Sequence, residues 1–129
     1  MKFSTRAEYG LNAIINLACH YPDKRSISDI SKEENISSKY LERLMGELRK
    51  FGIVKSTKGK NGGYVLSKNP KQIKVGEVIE ILEGSLLPMK NSCAECSNIK
   101  NCSSSSVWIK LGKEIRKTLY SIKLSDLTK

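Results

Sequence analysis

Between residues 26 and 66 the hydrophobic period of the chain changes once, at Gly52, and that change leaves few folds open. Before it, Ser26-x-x-Asp29 reads as a capping box that opens a short helix running to about Glu33. Glu34-Asn35-Ile36 makes a tight connection. Ser37 or Ser38 then caps a further helix whose buried face is Leu41, Leu44, Leu48 and Phe51, and Gly52 is placed to end it in a left-handed conformation. After it, residues 53–57 are strand-like, residues 58–63 form a glycine-rich basic turn, and Tyr64-Val65-Leu66 is the return strand. Two short helices joined by a tight turn make a helix-turn-helix, and a hairpin directly after it is the wing of a winged helix. A lone two-stranded hairpin is marginal in water, so this one must pack on the helices beside it.

The flanks supply more helix. Phe3, Ala7, Leu11, Ile14, Ile15 and Ala18 recur as one helical stripe, predicting a helix over residues 3–19 with Ser4 as its cap and Pro22 and Asp23 as its stop. Cys19 falls beside that stripe and reads as core. Beyond Pro70, the spacing of Val75, Val78, Ile79 and Leu82 predicts a short helix ended by Gly84. Residues 85–103 lose periodicity. From about Ser104 the pattern returns as Trp108, Leu111, Ile115, Leu119 and Ile122, enough for roughly 27 Å of amphipathic helix. The stripe needs cover, and the pattern leaves open whether the first helix or a second copy of the chain provides it.

Charge gives the helix-turn-helix a use. The 129 residues carry 23 Lys and Arg against 13 Asp and Glu, a net of +10, which favours an anionic partner such as nucleic acid or an acidic membrane surface. Residues 37–71 hold nine basic side chains against two acidic ones, so most of the excess lies on the second helix-turn-helix helix, the hairpin and their flanks. That placement favours duplex DNA. In a winged helix the exposed N-terminal part of this helix meets base edges in the major groove while the wing reaches the backbone or minor groove. The positions concerned are Ser37, Ser38, Lys39, Glu42 and Arg43, with Tyr40 in the same turn, and Lys58 and Lys60 at the wing tip. Lys and Arg donate to guanine, Glu accepts from cytosine, and Ser serves a base or a phosphate. Lys50, Lys55 and Lys68 read as phosphate contacts or solvated charges. An enzyme finds no support: there is one histidine, no phosphate loop after a strand, and no nucleophile beside a base. No apolar run is long enough to span a membrane, and the chain reads as cytoplasmic.

Three of the four cysteines, Cys93, Cys96 and Cys102, fall within ten residues. A disulfide framework is disfavoured in the cytosol, so an iron-sulfur cluster, a zinc site and a bare thiol switch remain as alternatives. Either metal centre needs a fourth ligand from elsewhere. Lys90 and Lys100 flank the loop and favour thiolate in all three cases.

The segments Ile36-Ser37-Ser38-Lys39-Tyr40-Leu41-Glu42-Arg43-Leu44, Leu48-Arg49-Lys50-Phe51-Gly52-Ile53-Val54, Gly59-x-x-Gly62-Gly63-Tyr64 and Val75-Gly76-Glu77-Val78-Ile79 together resemble the IscR/NsrR/CymR family of winged-helix transcription regulators. The resemblance extends through Trp108 to Leu124-Ser125-Asp126-Leu127. It implies a mainly α fold: a winged helix-turn-helix DNA-binding domain over 1–70, a short helix and cysteine-containing cluster loop over 71–103, and a long C-terminal dimerisation helix and tail over 104–129. It also implies a homodimeric repressor that binds a pseudopalindromic operator. In the cluster-bearing branch three loop cysteines hold a 2Fe-2S or 4Fe-4S centre, and Cys93, Cys96 and Cys102 occupy that place, with 2Fe-2S the first expectation. The first cysteine interval is shorter here than in IscR-like members. The position of the IscR histidine ligand is held by Ser105, whereas NsrR-like members take a carboxylate from the first helix of the other subunit, where Glu8 stands; Glu8 is the favoured fourth ligand. Ser37, Lys39 and Glu42 fall at base-reading positions, and Lys58 matches the wing arginine. CymR-like members imply the alternative, a cluster-free or zinc-binding regulator that uses its cysteines as a thiol redox switch.

Overall fold

The computed structural model describes residues 3–59, 62–84 and 103–128. Helix α1, Thr5–His20, begins at Ser4, whose hydroxyl accepts from the Ala7 amide at 3.1 Å. Helix α2, Ile27–Glu34, begins at Ser26, whose hydroxyl accepts from the Asp29 amide at 3.0 Å. Only this half of the expected capping box forms among the described residues, and the Asp29 carboxylate lies 4.0 Å from Arg25 Nη1. Asn35 closes α2 at φ 56°, a left-handed conformation that its short polar side chain tolerates. The chain thereby turns directly into α3, Ser38–Lys50, capped by Ser37. Gly52, at φ +81°, ends this unit where the sequence places it.

Two core expectations need correction. The buried face of α3 is Leu41, Leu44, Met45 and Leu48, while Phe51 is 64% exposed because it is the C-cap residue, past the last turn that the core holds. Cys19 is exposed as well. The buried side of α1 is Ala7, Ala13, Ile14, Leu17 and Ala18, and the step of about 100° from Ala18 to Cys19 carries the thiol out to solvent.

Strands β1, Val54–Thr57, and β2, Gly63–Leu66, pair antiparallel with Val54 opposite Leu66, and these two buried residues seat the hairpin on the helices. The hairpin is not alone. Arg25, between α1 and α2, exchanges two backbone hydrogen bonds with Tyr64 at 2.8 Å each. Gly63 permits that approach, since a Cβ there would stand 2.5 Å from the Arg25 carbonyl oxygen.

A 3-10 turn, Pro70–Gln72, leads into α4, Val75–Glu83, which lies against α1 and ends at Gly84. Helix α5, Ser103–Tyr120, is tied down at its C-terminal end: the Val75 amide donates to the Ile122 carbonyl at 2.8 Å and the Leu124 amide to Ile73 at 2.9 Å, with Leu124 fully buried. Cover on the apolar stripe of α5 follows this anchoring. Ile115, Leu119 and Ile122 are half-buried, whereas Trp108 and Leu111 are each 38% exposed. Among the described residues, no helix is long and apolar enough to cross a membrane.

Candidate nucleic-acid interface

On the outer face of α3, Lys39, Glu42 and Arg43 are exposed and make no hydrogen bond or ion pair among the described residues. An intrahelical Lys39–Glu42 pair would have consumed two of the three; it does not form. The helix is 13 residues, about 20 Å, long enough to lie in a major groove with its N-terminal end leading. That end is positive because the first amides of a helix lack carbonyl partners, and it suits phosphate or base acceptors. Ser37 Oγ accepts from the Tyr40 amide at 3.2 Å, and Ser38 Oγ donates to Ser31 Oγ at 3.2 Å while Ser31 donates to the Ile36 carbonyl. Both serines thus hold the entry of α3 in shape. Tyr40 is half-buried, its ring edge-on to Tyr9 at 6.0 Å, and so joins α3 to α1.

The inner side of α3 is fixed by charge. Arg6 of α1 pairs with Glu47, with Nη1 donating to Oε1 at 3.2 Å, and Arg49 Nη1 donates to Ser56 Oγ on β1 at 3.3 Å. In the wing, Lys55 and Lys58 are exposed, Gly59 adopts φ +110°, and the Gly62 amide closes the turn on the Gly59 carbonyl at 2.9 Å. Lys60 lies outside the described residues. Lys58, Lys39 and Arg43 therefore stand on elements braced against one another, and all three charges face solvent.

A polar cluster that ties α1 to α2 and to Arg25 was not legible in the sequence. Asn16, 6% exposed on α1, donates from Nδ2 to Glu33 at 2.7 Å and to Glu34 at 2.9 Å, and Glu33 also pairs with Arg25. The amide of Asn16 and then the guanidinium of Arg25 hold the Glu33 carboxyl below the ordinary carboxylate range. Residues 16, 25 and 33 share no helical or strand spacing, so no periodicity signals them.

The expected metal ligands divide differently. Cys93, Cys96 and Cys102 lie outside the described residues, and α5 begins at Ser103, the next residue in sequence after Cys102. Glu8 is exposed on α1, makes no side-chain hydrogen bond or ion pair among the described residues, and borders an apolar groove of about 260 Å³ lined by Phe3, Ala7, Leu11, Val75, Ile79 and Leu119. A second hollow of about 320 Å³ continues along α5 past Phe3, Ile115 and Leu119. Ser105 is buried at 4% exposure. His20 Nδ1 is occupied at 2.9 Å from the Asn16 carbonyl. Among the described residues no three His, Cys, Asp or Glu side chains gather as a metal site.

Comparison with known proteins agrees with this geometry. The CymR regulator of Bacillus subtilis is 37% identical over 128 residues, covering 98% of this chain and 89% of its own. The solved structure of T. potens IscR superposes with a TM-score of 0.79 at 40% identity, covering 98% of this chain and 85% of that one. An oxidised form of Staphylococcus aureus CymR superposes with a TM-score of 0.80 at 32% identity, covering 100% and 97%. These relatives are transcription regulators, not enzymes, and they share the fold described above. The model of the Rrf2 family, described as iron-dependent transcriptional regulator, matches residues 3–129, and the chain accordingly belongs to the Rrf2 family of transcription regulators.

Proposed function

We propose that the chain is a cytoplasmic, homodimeric repressor that reads a pseudopalindromic operator and is governed by an iron-sulfur cluster on its cysteine loop. The observation that carries the reading of DNA is the unpaired Lys39, Glu42 and Arg43 on the outer face of a braced α3. Lys39 and Arg43 donate to guanine, Glu42 accepts from cytosine, and Ser37, Ser38 and Tyr40 meet the phosphates at the helix entry. Lys58 and Lys60 carry the wing to the adjacent backbone or minor groove. Segment 1–70 binds DNA, 71–103 senses and 104–129 pairs. The apolar residues Trp108 and Leu111, uncovered within one chain, are then buried against the second copy. A dimer of this kind sets its two reading helices about 34 Å apart, one turn of duplex.

The donor set suits a cluster. Cys93, Cys96 and Cys102 offer three soft thiolates, and Glu8 of the partner subunit, exposed and uncommitted in each chain, is the fourth ligand in preference to the buried Ser105. When bound, an iron-sulfur centre supplies oxidation and reduction, with 2Fe-2S the favoured form and 4Fe-4S the other. The similarity to an oxidised CymR supports a second reading, in which the same thiols act as a redox switch without a cluster; a zinc site on these thiols is the remaining alternative.

Anaerobic purification separates the readings. The first requires a coloured protein with charge-transfer absorption, about one cluster per subunit, and loss of that absorption on Cys102→Ala; a colourless protein with altered oxidant response, or with stoichiometric zinc, sinks it. Duplex binding is tested by fluorescence anisotropy, with log affinity falling against log salt by about 0.9 for each phosphate neutralised.

A further inference from the structure

We infer that Arg25 and Glu33 are positioning residues for DNA recognition: they lock the wing to the helix-turn-helix so that α3 and Lys58 meet one duplex in a fixed relation. The backbone of Arg25 is hydrogen-bonded twice to Tyr64 of β2, and Tyr64 sits opposite Ser56 of β1, whose hydroxyl accepts from Arg49 of α3. The Arg25 side chain, 16% exposed, turns away from solvent toward Glu33 and Asp29 of α2. Glu33 spends its second oxygen on Asn16 of α1 at 2.7 Å. One carboxylate thereby joins α1, α2 and the Arg25 segment that pairs with the wing beside its turn. Gly63 leaves room for nothing else at this seam, since any Cβ there would collide with the Arg25 carbonyl.

The arrangement follows from a mechanical need. A two-stranded hairpin has little stability of its own, and Val54 and Leu66 anchor only the end remote from the tip. A contact at Lys58 helps binding only if the tip is already in place when α3 docks, because ordering it at that moment costs affinity. The guanidinium of Arg25 is committed inward, so it acts on DNA through the wing and not by touching phosphate.

The inference rests on the wing reading given above, and the test separates the two. The probe is a duplex selected from a randomised pool by the wild-type chain, titrated by anisotropy over a salt series. Glu33→Gln and Arg25→Gln should each weaken binding and lower the salt slope by roughly 0.9, as Lys58→Ala does, and Glu33→Gln combined with Lys58→Ala should bind no more weakly than Lys58→Ala alone. Additive losses, or an unchanged slope in Glu33→Gln, overturn it. Amide exchange decides the joint without DNA: in Glu33→Gln the Tyr64 amide should exchange about tenfold faster while Leu48 in α3 keeps its protection. Unchanged Tyr64 protection, or equal loss at both amides, overturns the positioning role. Should Lys58→Ala have no effect, the wing reading fails, and the exchange result still decides the joint.

Discussion

Two helical glycines should respond to the same substitution with opposite signs. Gly76, in the first turn of α4, faces Tyr120 of α5, and an added Cβ would stand 2.1 Å from its Cδ2 and 2.3 Å from its Cε2. Ordinary contact begins near 3.4 Å, so the ring must retreat by roughly 1.3 Å. Tyr120 is not free to do so. Burial, and then the neighbouring Glu80 carboxylate, raise its phenol above the ordinary pKa, and Arg116 stacks over the ring at 4.7 Å while pairing with Glu80. Losing the stacked cation costs about 0.5–1 kcal/mol, and forcing side chains and backbone aside in a packed seam about 1–3. Against this, alanine gains up to about 1 kcal/mol of helix propensity. The net for Gly76→Ala is a destabilisation of about 2 kcal/mol, or roughly 8 °C in Tm for a chain of this size. Gly46, inside α3, has open space where a Cβ would stand, with nothing within 4 Å, and Gly46→Ala should stabilise by about 0.5–1 kcal/mol. Urea and thermal unfolding at one fixed protein concentration measure both, because a dimer makes Tm concentration-dependent. A Gly76→Ala midpoint at or above wild type, or a Gly46→Ala loss as large as that of Gly76→Ala, would refute the steric reasoning.

Three further outcomes follow from the surfaces described. Glu42→Gln should relax base preference at one operator position by about 1–3 kcal/mol, whereas Lys58→Ala should weaken all duplexes alike and flatten their salt dependence; selection from a randomised pool reads the first and a salt titration the second. If the exposed part of the α5 stripe pairs two copies as proposed, Leu111→Glu, which places a carboxylate there, should shift sedimentation from dimer to folded monomer; a persisting dimer means another surface pairs the subunits. Because the Glu33 carboxyl is held low in the folded chain, its stabilisation is fully present above the ordinary carboxylate range, near pH 4.5, and is lost as pH falls through the lowered folded value. Urea midpoints followed downward from pH 6 should fall less steeply in Glu33→Gln than in wild type, and parallel curves would contradict the Asn16 and Arg25 contacts.

The helices were legible because each carries a local signal. Ser4, Ser26 and Ser37 cap as their positions suggest, Gly52 ends α3, and the change to strand period marks the hairpin. The errors arose at the edges of stripes. Cys19 follows directly on buried Ala18 and Phe51 lies one turn past buried Leu48, and periodicity marks the centre of a buried face better than its margin. Glu8 could be named only through family resemblance; the structure adds that it is exposed, unpaired and beside the apolar groove.

By itself, then, the sequence determined the elements, their order, and a basic surface concentrated on α3 and the wing, since caps, period and charge are properties of short stretches of chain. Tertiary structure alone decided what braces that surface. Arg6 meets Glu47, Arg25 meets Tyr64 and Glu33, and Tyr120 meets Gly76 across separations that no local pattern encodes. It also decided how cover is shared along α5: the end anchored through Ile122 and Leu124 is held against α4 and the chain beside it, while Trp108 and Leu111 each keep 38% of their surface exposed.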